Sequence, residues 1–178
     1  LAFYNDQLGN SDQAMVYLKR AAGMSPDYVF PSRVESLEVL LWAIQNQPDD
    51  AKAHLFLGHL LAGLGRSDEA IRYWQQAVYL DATLSVGWRM LGMDAWKKKE
   101  NLAEAENYFR NAVKANPGNQ IACRDLATIM AELDKRAEAI QIVEKMREGK
   151  DSVRYDVTQW LADAYLAEGR FDDCIALL

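Results

Sequence analysis

The chain has 178 residues and 50% hydrophobic content, which allow one sizeable core or a short stack of repeats and exclude a disordered chain. Four prolines and ten glycines, with many strong helix formers, predict an all-α protein. The formal net charge of -6 disfavours nucleic acid or an anionic membrane as the main partner. No apolar run approaches the roughly twenty residues of a membrane-spanning helix, so we expect a soluble chain.

A pattern of small and bulky residues recurs along the chain. A small residue is followed four positions later by a bulky apolar residue and, usually, three positions after that by an alanine, as in Ala70, Trp74 and Ala77. Successive patterns begin 22, 34, 35, 34 and 35 residues apart. Their first members are Ala14, Ser36, Ala70, Ala105, Ala139 and Cys174. A nearly constant period of this length predicts a repeat architecture.

Each repeat contains two helical segments. Twelve or thirteen residues before most of these patterns lies a second small residue, inside a segment with helical apolar spacing. Where two helices cross closely, such a residue lets the backbones approach, while Trp74 or Phe109 fills the space beside it. Glycines such as Gly65 and Gly169 separate the two helices, because glycine readily takes the left-handed conformation that ends a helix. We therefore predict about ten or eleven helices in antiparallel pairs.

In chain order, the turn residues divide a single solenoid, 1–178, into six units. The units are 1–27, 28–50, 51–84, 85–119, 120–152 and 153–178, and the first and last are truncated. Unit 28–50 is about twelve residues short, so it should retain only its second helix and bend the stack. Ser32 and Glu35 have the spacing of a capping box for that helix. The apolar segment 28–30 is predicted to pack in place of the missing helix.

The unit that begins at residue 85 resembles the tetratricopeptide repeat (TPR) family. Its Trp88, the pair Leu91 and Gly92, and then Ala105, Phe109 and Pro117 follow the family pattern, although Ala95 stands where a tyrosine is usual. The resemblance extends over nearly the whole chain. It implies a right-handed superhelical solenoid in which the first helix of each pair lines a concave groove.

A second resemblance covers about forty residues. The segments 28–33, 39–40 and 48–54 look like part of certain large bacterial proteins of unassigned function. In those proteins a β-sandwich domain similar to sugar mutarotases precedes a run of TPRs. This resemblance implies an alternative function, namely an auxiliary module of a carbohydrate-active multidomain enzyme whose catalytic domain lies upstream.

No arrangement of residues points to catalysis, a cofactor or a metal site. His54 and His59 are five positions apart, which turns them about 140° from each other on a helix, so they should not share a metal ion. We expect one of them to be an interface residue and the other to be exposed. Cys123 and Cys174 lie far apart, without further ligands at metal-binding spacing. We therefore predict a protein that is not an enzyme.

The predicted groove supplies the candidate binding residues. Positions that face away from the core on the first helices carry Leu55 and a set of cationic, apolar and aromatic side chains. The candidates are Lys52, His59, Arg89, Met93, Trp96, Lys97 and Arg124. The middle of this groove should be basic, offering pairing with carboxylates beside an apolar anchor, and its C-terminal end acidic. Trp42 and Trp96 fall outside the core columns, which makes them the more informative aromatic residues.

The sequence thus predicts a protein-interaction scaffold. Its partner would be a protein, a peptide or another domain of the same chain, with no role for nucleic acid or a membrane. Uncapped apolar ends could also allow self-association. A cytoplasmic location is favoured, although an upstream signal peptide stays open, and the sequence does not identify the partner.

Overall fold

The computed structural model of the protein describes residues 1–25, 31–98, 101–148 and 152–177. These residues form eleven α-helices and contain no β-strand. The helices are α1 (Ala2–Gln7), α2 (Ser11–Ala22), α3 (Ser36–Asn46), α4 (Ala51–Gly63), α5 (Ser67–Leu80), α6 (Ser85–Lys98), α7 (Leu102–Ala115), α8 (Gln120–Glu132), α9 (Arg136–Arg147), α10 (Tyr155–Ala167) and α11 (Phe171–Ile175). The predicted all-α fold of paired helices is confirmed. None of these helices is long and apolar enough to cross a membrane.

The turns inside the pairs α4–α5, α8–α9 and α10–α11 share one geometry. Gly65 and Gly169 adopt φ angles of 78° and 70°, in the left-handed region that the sequence predicted for them. In both turns the following arginine N–H donates to a carbonyl five residues earlier, at 2.9 Å. Asp134 occupies the corresponding place between α8 and α9 with φ 59°, a conformation that aspartate tolerates better than most residues. Glycine is therefore favoured at this place but not obligatory.

Close approach inside two pairs explains the column of small residues. A Cβ atom added to Gly58 of α4 would lie 2.5 Å from the indole of Trp74 on α5. A Cβ added to Gly92 of α6 would lie 2.8 Å from the ring of Phe109 on α7. Real Cβ atoms do not approach so closely, so a glycine at either position makes room for the aromatic ring.

Contacts within the chain group the residues into two compact units, Leu1–Ala82 and Thr83–Leu178. In the first unit, α3 stands without a paired helix among the described residues and packs against α4. Helix α3 begins at Ser36, later than a cap at Ser32 would place it. Its N-cap is Glu35, whose side chain makes no capping hydrogen bond. The capping box predicted at Ser32 is therefore wrong. Residues 28–30, which were predicted to replace the missing helix, lie outside the described residues.

Trp42 on α3 is half-buried and belongs to the packing of the first unit. Its ring meets Phe3 of α1 edge to face, with centroids 5.9 Å apart, and its Nε1 donates to Asp6 Oδ2 at 2.9 Å. It also packs against a small core that contains Leu18 and Ala43. The expectation that Trp42 stands apart from the core is thus wrong, because α1 provides partners for both its ring and its N–H.

The second unit is built around a continuous apolar core. The large side chains in it are almost completely buried and come from four successive helices, α7 to α10. They include Phe109, Leu126, Ile129, Met130, Ile140, Val143 and Leu161. Helix α8 contacts α6, α7, α9 and α10, so it lies at the centre of this unit. The side chains of α6, α8 and α10 that point away from this core form the surface considered next.

Candidate partner-binding surface

The seven candidate residues fall in two different units. Lys52 and His59 lie on α4 in the first unit, and the other five lie on α6 and α8 in the second. We describe each set within its own unit. In the first unit, Leu55 is only 2% exposed, so its predicted place on an open groove face is wrong. Helix α4 is apolar on nearly all sides, and such helices are buried on nearly all sides.

Lys52 binds carbonyl groups of its own chain. Its Nζ donates to the carbonyl of Ala22, the last residue of α2, at 2.9 Å, and also to the carbonyl of Met24, two residues beyond the helix. The carbonyl of Ala22 has no partner inside the helix, and it carries the negative end of the helix dipole. Lys52 therefore joins α4 to α2 and is not a free cation for a partner.

His59 is half-buried and uncharged near neutral pH. Burial lowers its pKa to about 4, and its Nδ1 accepts a hydrogen bond from Trp74 Nε1 at 3.2 Å. The other histidine, His54, is buried, with Nδ1 2.9 Å from the carbonyl of Asp50. The expectation that one of the two would be exposed is wrong. Both serve the packing of α4.

In the second unit, a row of ion pairs connects the first helices of three successive pairs. Arg89 Nε on α6 lies 2.7 Å from Asp125 Oδ2 on α8, and Arg124 Nη2 lies 2.7 Å from Asp125 Oδ1. Arg124 Nη1 then reaches Asp156 Oδ2 on α10 at 2.6 Å, and Arg154 Nε lies 3.0 Å from Asp156 Oδ1. We call these five residues the charge ladder. It alternates in sign from α6 to the start of α10.

The centre of the charge ladder is the most buried part. The side chain of Asp125 is 2% exposed, whereas those of Arg89, Arg124 and Asp156 are 22% to 31% exposed. The hydrogen bond from Arg124 to Asp125 raises the pKa of the Arg124 guanidinium. At the other end, the hydrogen bond from Arg154 lowers the pKa of Asp156. Both shifts favour the charged forms of Arg124 and Asp156, and each cation of the ladder has a carboxylate of the same chain beside it.

This pairing corrects the predicted basic middle of the groove. Arg89 and Arg124 were expected to offer unpaired guanidinium groups, but Asp125 neutralises much of their charge. Asp125 was not among the predicted site residues. The sequence contains a signal that could have identified Asp125. It lies 35 residues after Met90 and 35 before Trp160, so the equivalent positions of the neighbouring repeats are apolar. A carboxylate in a buried column requires cationic partners.

Trp96, Met93 and Lys97 lie together near the end of α6. Trp96 is half-buried: its ring meets Phe109 edge to face at 6.2 Å, and its Nε1 donates to Glu132 of α8 at 3.1 Å. Met93 is half-buried against the core of the unit. Lys97 is exposed and has no ion pair with another residue in the described ranges. We call these three residues and the charge ladder the first-helix surface.

The described residues contain no group of His, Cys, Asp and Glu side chains that could hold a metal ion. Cys123 is buried and Cys174 is half-buried, and neither forms a disulfide bond. The polar groups of the first-helix surface are instead arranged as ion pairs and hydrogen bonds between neighbouring helices. Such an arrangement can present fixed charges and an aromatic edge to another molecule.

Comparison with known proteins gives matches along most of the chain. Four family models, each described as tetratricopeptide repeat, match residues 1–28, 35–83, 98–155 and 160–178. The Tetratricopeptide repeat-containing protein trd-1 of Caenorhabditis elegans is 26% identical over 145 residues, which are 78% of this chain and 19% of that protein. The chain therefore spans about a fifth of the length of this curated relative.

Solved structures show the same fold. The crystal structure of MamA matches with a TM-score of 0.64 and 18% identity, covering 99% of this chain and 90% of that one. YrrB, described as a TPR protein with an unusual peptide-binding site, matches with a TM-score of 0.66 and 20% identity, covering 79% of this chain and 72% of that one. At this level of identity, the likeness establishes the fold alone.

Proposed function

This chain belongs to the tetratricopeptide repeat family, and from that premise we propose that it is a non-catalytic protein-interaction module. Its partner is a segment of another protein or a neighbouring domain of the same chain. The partner binds the first-helix surface of the second unit. The structural relative YrrB, whose description names a peptide-binding site, supports a partner of this kind.

The observation that carries the proposal is the group at the end of α6. Trp96 presents part of an aromatic ring that is held in place by Phe109 and Glu132, so a partner would not have to order it. The exposed cation of Lys97 stands next to it in the sequence. Aromatic side chains of this kind, beside a charge, are typical centres of binding energy in protein interfaces.

The charge ladder indicates how the rest of the partner would bind. Because both arginines on α6 and α8 already have a carboxylate, a purely acidic partner gains little from them and meets Asp125 and Asp156 as well. A partner with an apolar side chain for Trp96, an acidic group for Lys97 and groups of both signs toward α10 fits this surface. The sequence predicted that partner carboxylates pair with Arg89 and Arg124. We now propose Lys97 as the cation that pairs with a partner carboxylate.

Site-specific photo-crosslinking in the source cells tests the proposal. A photoreactive lysine analogue that keeps the side-chain ammonium group, in place of Lys97, should capture a discrete protein, and Trp96→Ala should abolish the capture while helix content is retained. The matched control replaces Lys19, which is exposed in the last turn of α2 as Lys97 is in the last turn of α6. Capture of the same proteins from both positions, or no capture from position 97, would contradict the proposal.

The auxiliary role in a carbohydrate-active enzyme stays a prediction from the sequence. None of the contacts described above favours it over an interaction module.

A further inference from the structure

A cavity of about 610 Å³ lies in the second unit, between α7, α8 and α9, and shares no residue with the first-helix surface. Its volume is in the range of pockets that bind small ligands, so it has ample room for a large side chain. The turn at Pro117 and Gly118, which follows α7, closes one side of it. It is thus a second concave feature of the unit, made by different helices.

The wall of this cavity is apolar. Leu126 of α8 and Met146 of α9 are almost fully buried, and Val113 of α7 and Ile142 of α9 are half-buried against the core. These aliphatic side chains offer no hydrogen bond to a ligand. The part of a ligand that enters must therefore be apolar, since a polar group would lose its hydrogen bonds to water.

The rim of the cavity is basic. Lys114 near the end of α7 and Lys145 near the end of α9 are exposed, and neither has an ion pair with another residue in the described ranges. Arg110 also lines the cavity, but its Nη2 lies 2.7 Å from Glu106 and 2.8 Å from Glu138. Glu148 is the acidic residue of the lining. In a chain with a net charge of -6, two free lysines around an apolar cavity form a local positive site.

From this combination we propose that the α7–α9 cavity binds an acidic peptide segment through one large apolar side chain. The apolar side chain enters between Val113 and Ile142, and the carboxylates that flank it pair with Lys114 and Lys145. The lysines select for acidic segments, because a basic segment would meet two like charges that the single Glu148 offsets only in part. The cavity supplies the anchor, so that the segment needs no defined secondary structure.

A synthetic peptide provides the test with the whole chain in solution. The probe is a fluorescein-labelled hexapeptide with Leu-Phe at its centre and an Asp-Glu pair on each side. Two matched peptides carry lysines in place of the acidic residues or two alanines in place of Leu-Phe. Fluorescence anisotropy should show saturable binding of the probe and none of the two matched peptides. The affinity for the probe should decrease as salt is added.

Two kinds of variant locate the binding. Lys114→Glu and Lys145→Glu, both at exposed positions, should each weaken binding of the probe roughly fivefold, because each replaces an attraction by a repulsion. Val113→Trp should occupy the part of the cavity between α7 and α9 that the apolar side chain enters, and so weaken binding. Lys19→Glu makes the same change of charge at an exposed lysine of α2, in the other unit, and should leave the affinity unchanged.

Three results would overturn the inference. One is equal affinity for the acidic and the lysine-containing peptides, and another is unchanged affinity in the Lys114→Glu, Lys145→Glu double variant. The third is binding of dodecanoate at the same lysines without binding of the peptide, since the cavity would then take a small amphiphile. Circular dichroism shows whether Val113→Trp keeps the native helix content, and the lysine variants decide the question if it does not.

Discussion

Replacement of His59 by glutamine should make the protein less sensitive to mild acid. Burial lowers the pKa of His59 from 6.5 to about 4, so the folded protein holds this imidazole uncharged. Below pH 6.5 the unfolded chain takes up a proton at His59 that the folded chain does not take up. Stability that is fully present above pH 6.5 is therefore lost as the pH falls toward 4.

The size of this loss follows from the two pKa values. At about pH 5, which is about 1.5 units below the ordinary value, the folded state loses about 2 kcal/mol relative to the unfolded state, at about 1.4 kcal/mol per unit. Glutamine does not titrate, and its side-chain oxygen can still accept the hydrogen bond from Trp74 Nε1. The His59→Gln variant should thus keep the packing and lose the acid sensitivity.

Urea unfolding followed by tryptophan fluorescence measures this difference at about pH 7.5 and about pH 5. Between the two, wild type should lose about 2 kcal/mol more than His59→Gln. His54 and the carboxylates are common to both proteins, so their contributions cancel in the comparison. An independent check is the NMR titration of His59, with an expected midpoint near pH 4. Equal losses in the two proteins, or a midpoint at 6.5, would refute the reasoning.

Two further substitutions test the packing and the charge ladder by chemical denaturation. Gly92→Ala should cost about 1 to 3 kcal/mol, because the new Cβ would lie 2.8 Å from the fully buried ring of Phe109. Its control is Gly63→Ala. The new Cβ there would have no neighbouring atom within 4 Å beyond the backbone of its own helix, so the change should stabilise α4 slightly. Asp125→Asn should cost about 2 to 3 kcal/mol, since it leaves two guanidinium groups without their buried carboxylate. Asp156→Asn, at a 31% exposed carboxylate of the same ladder, should cost less than about 1 kcal/mol. Equal effects within either pair would contradict these assignments.

The helix pairs could be predicted from sequence because their signals are local and repeated. Gly58 is followed by Trp74 after 16 positions and Gly92 by Phe109 after 17, and each glycine packs against its aromatic residue. The glycine turns follow from the conformational freedom of a single residue type. Both features depend on the residues of one pair and little else.

The side-chain partners that cross between repeats could not be predicted in the same way. Arg89 was assigned to a binding face from its column, but its carboxylate partner Asp125 lies 36 residues away. Lys52 binds carbonyls 28 and 30 residues before it, across the irregular unit where the regular period fails. Trp42, which lies inside the irregular unit, finds its partner on α1 in the unit before it. The position of a residue within its repeat predicts which way its side chain faces. It does not predict which side chain of the next repeat will contact it.

The charge ladder also limits how freely this unit can change. Arg124 contacts a carboxylate on its own helix and another on α10, and Asp125 contacts arginines on α6 and α8. Repeats that are held together by apolar columns alone can be duplicated, deleted or exchanged as interchangeable modules. Removal of α8 and its partner helix would remove Asp125, and Arg89 would then have no carboxylate to pair with. Recombination in this part of the chain therefore preserves the ion pairs only if α6, α8 and α10 are exchanged together.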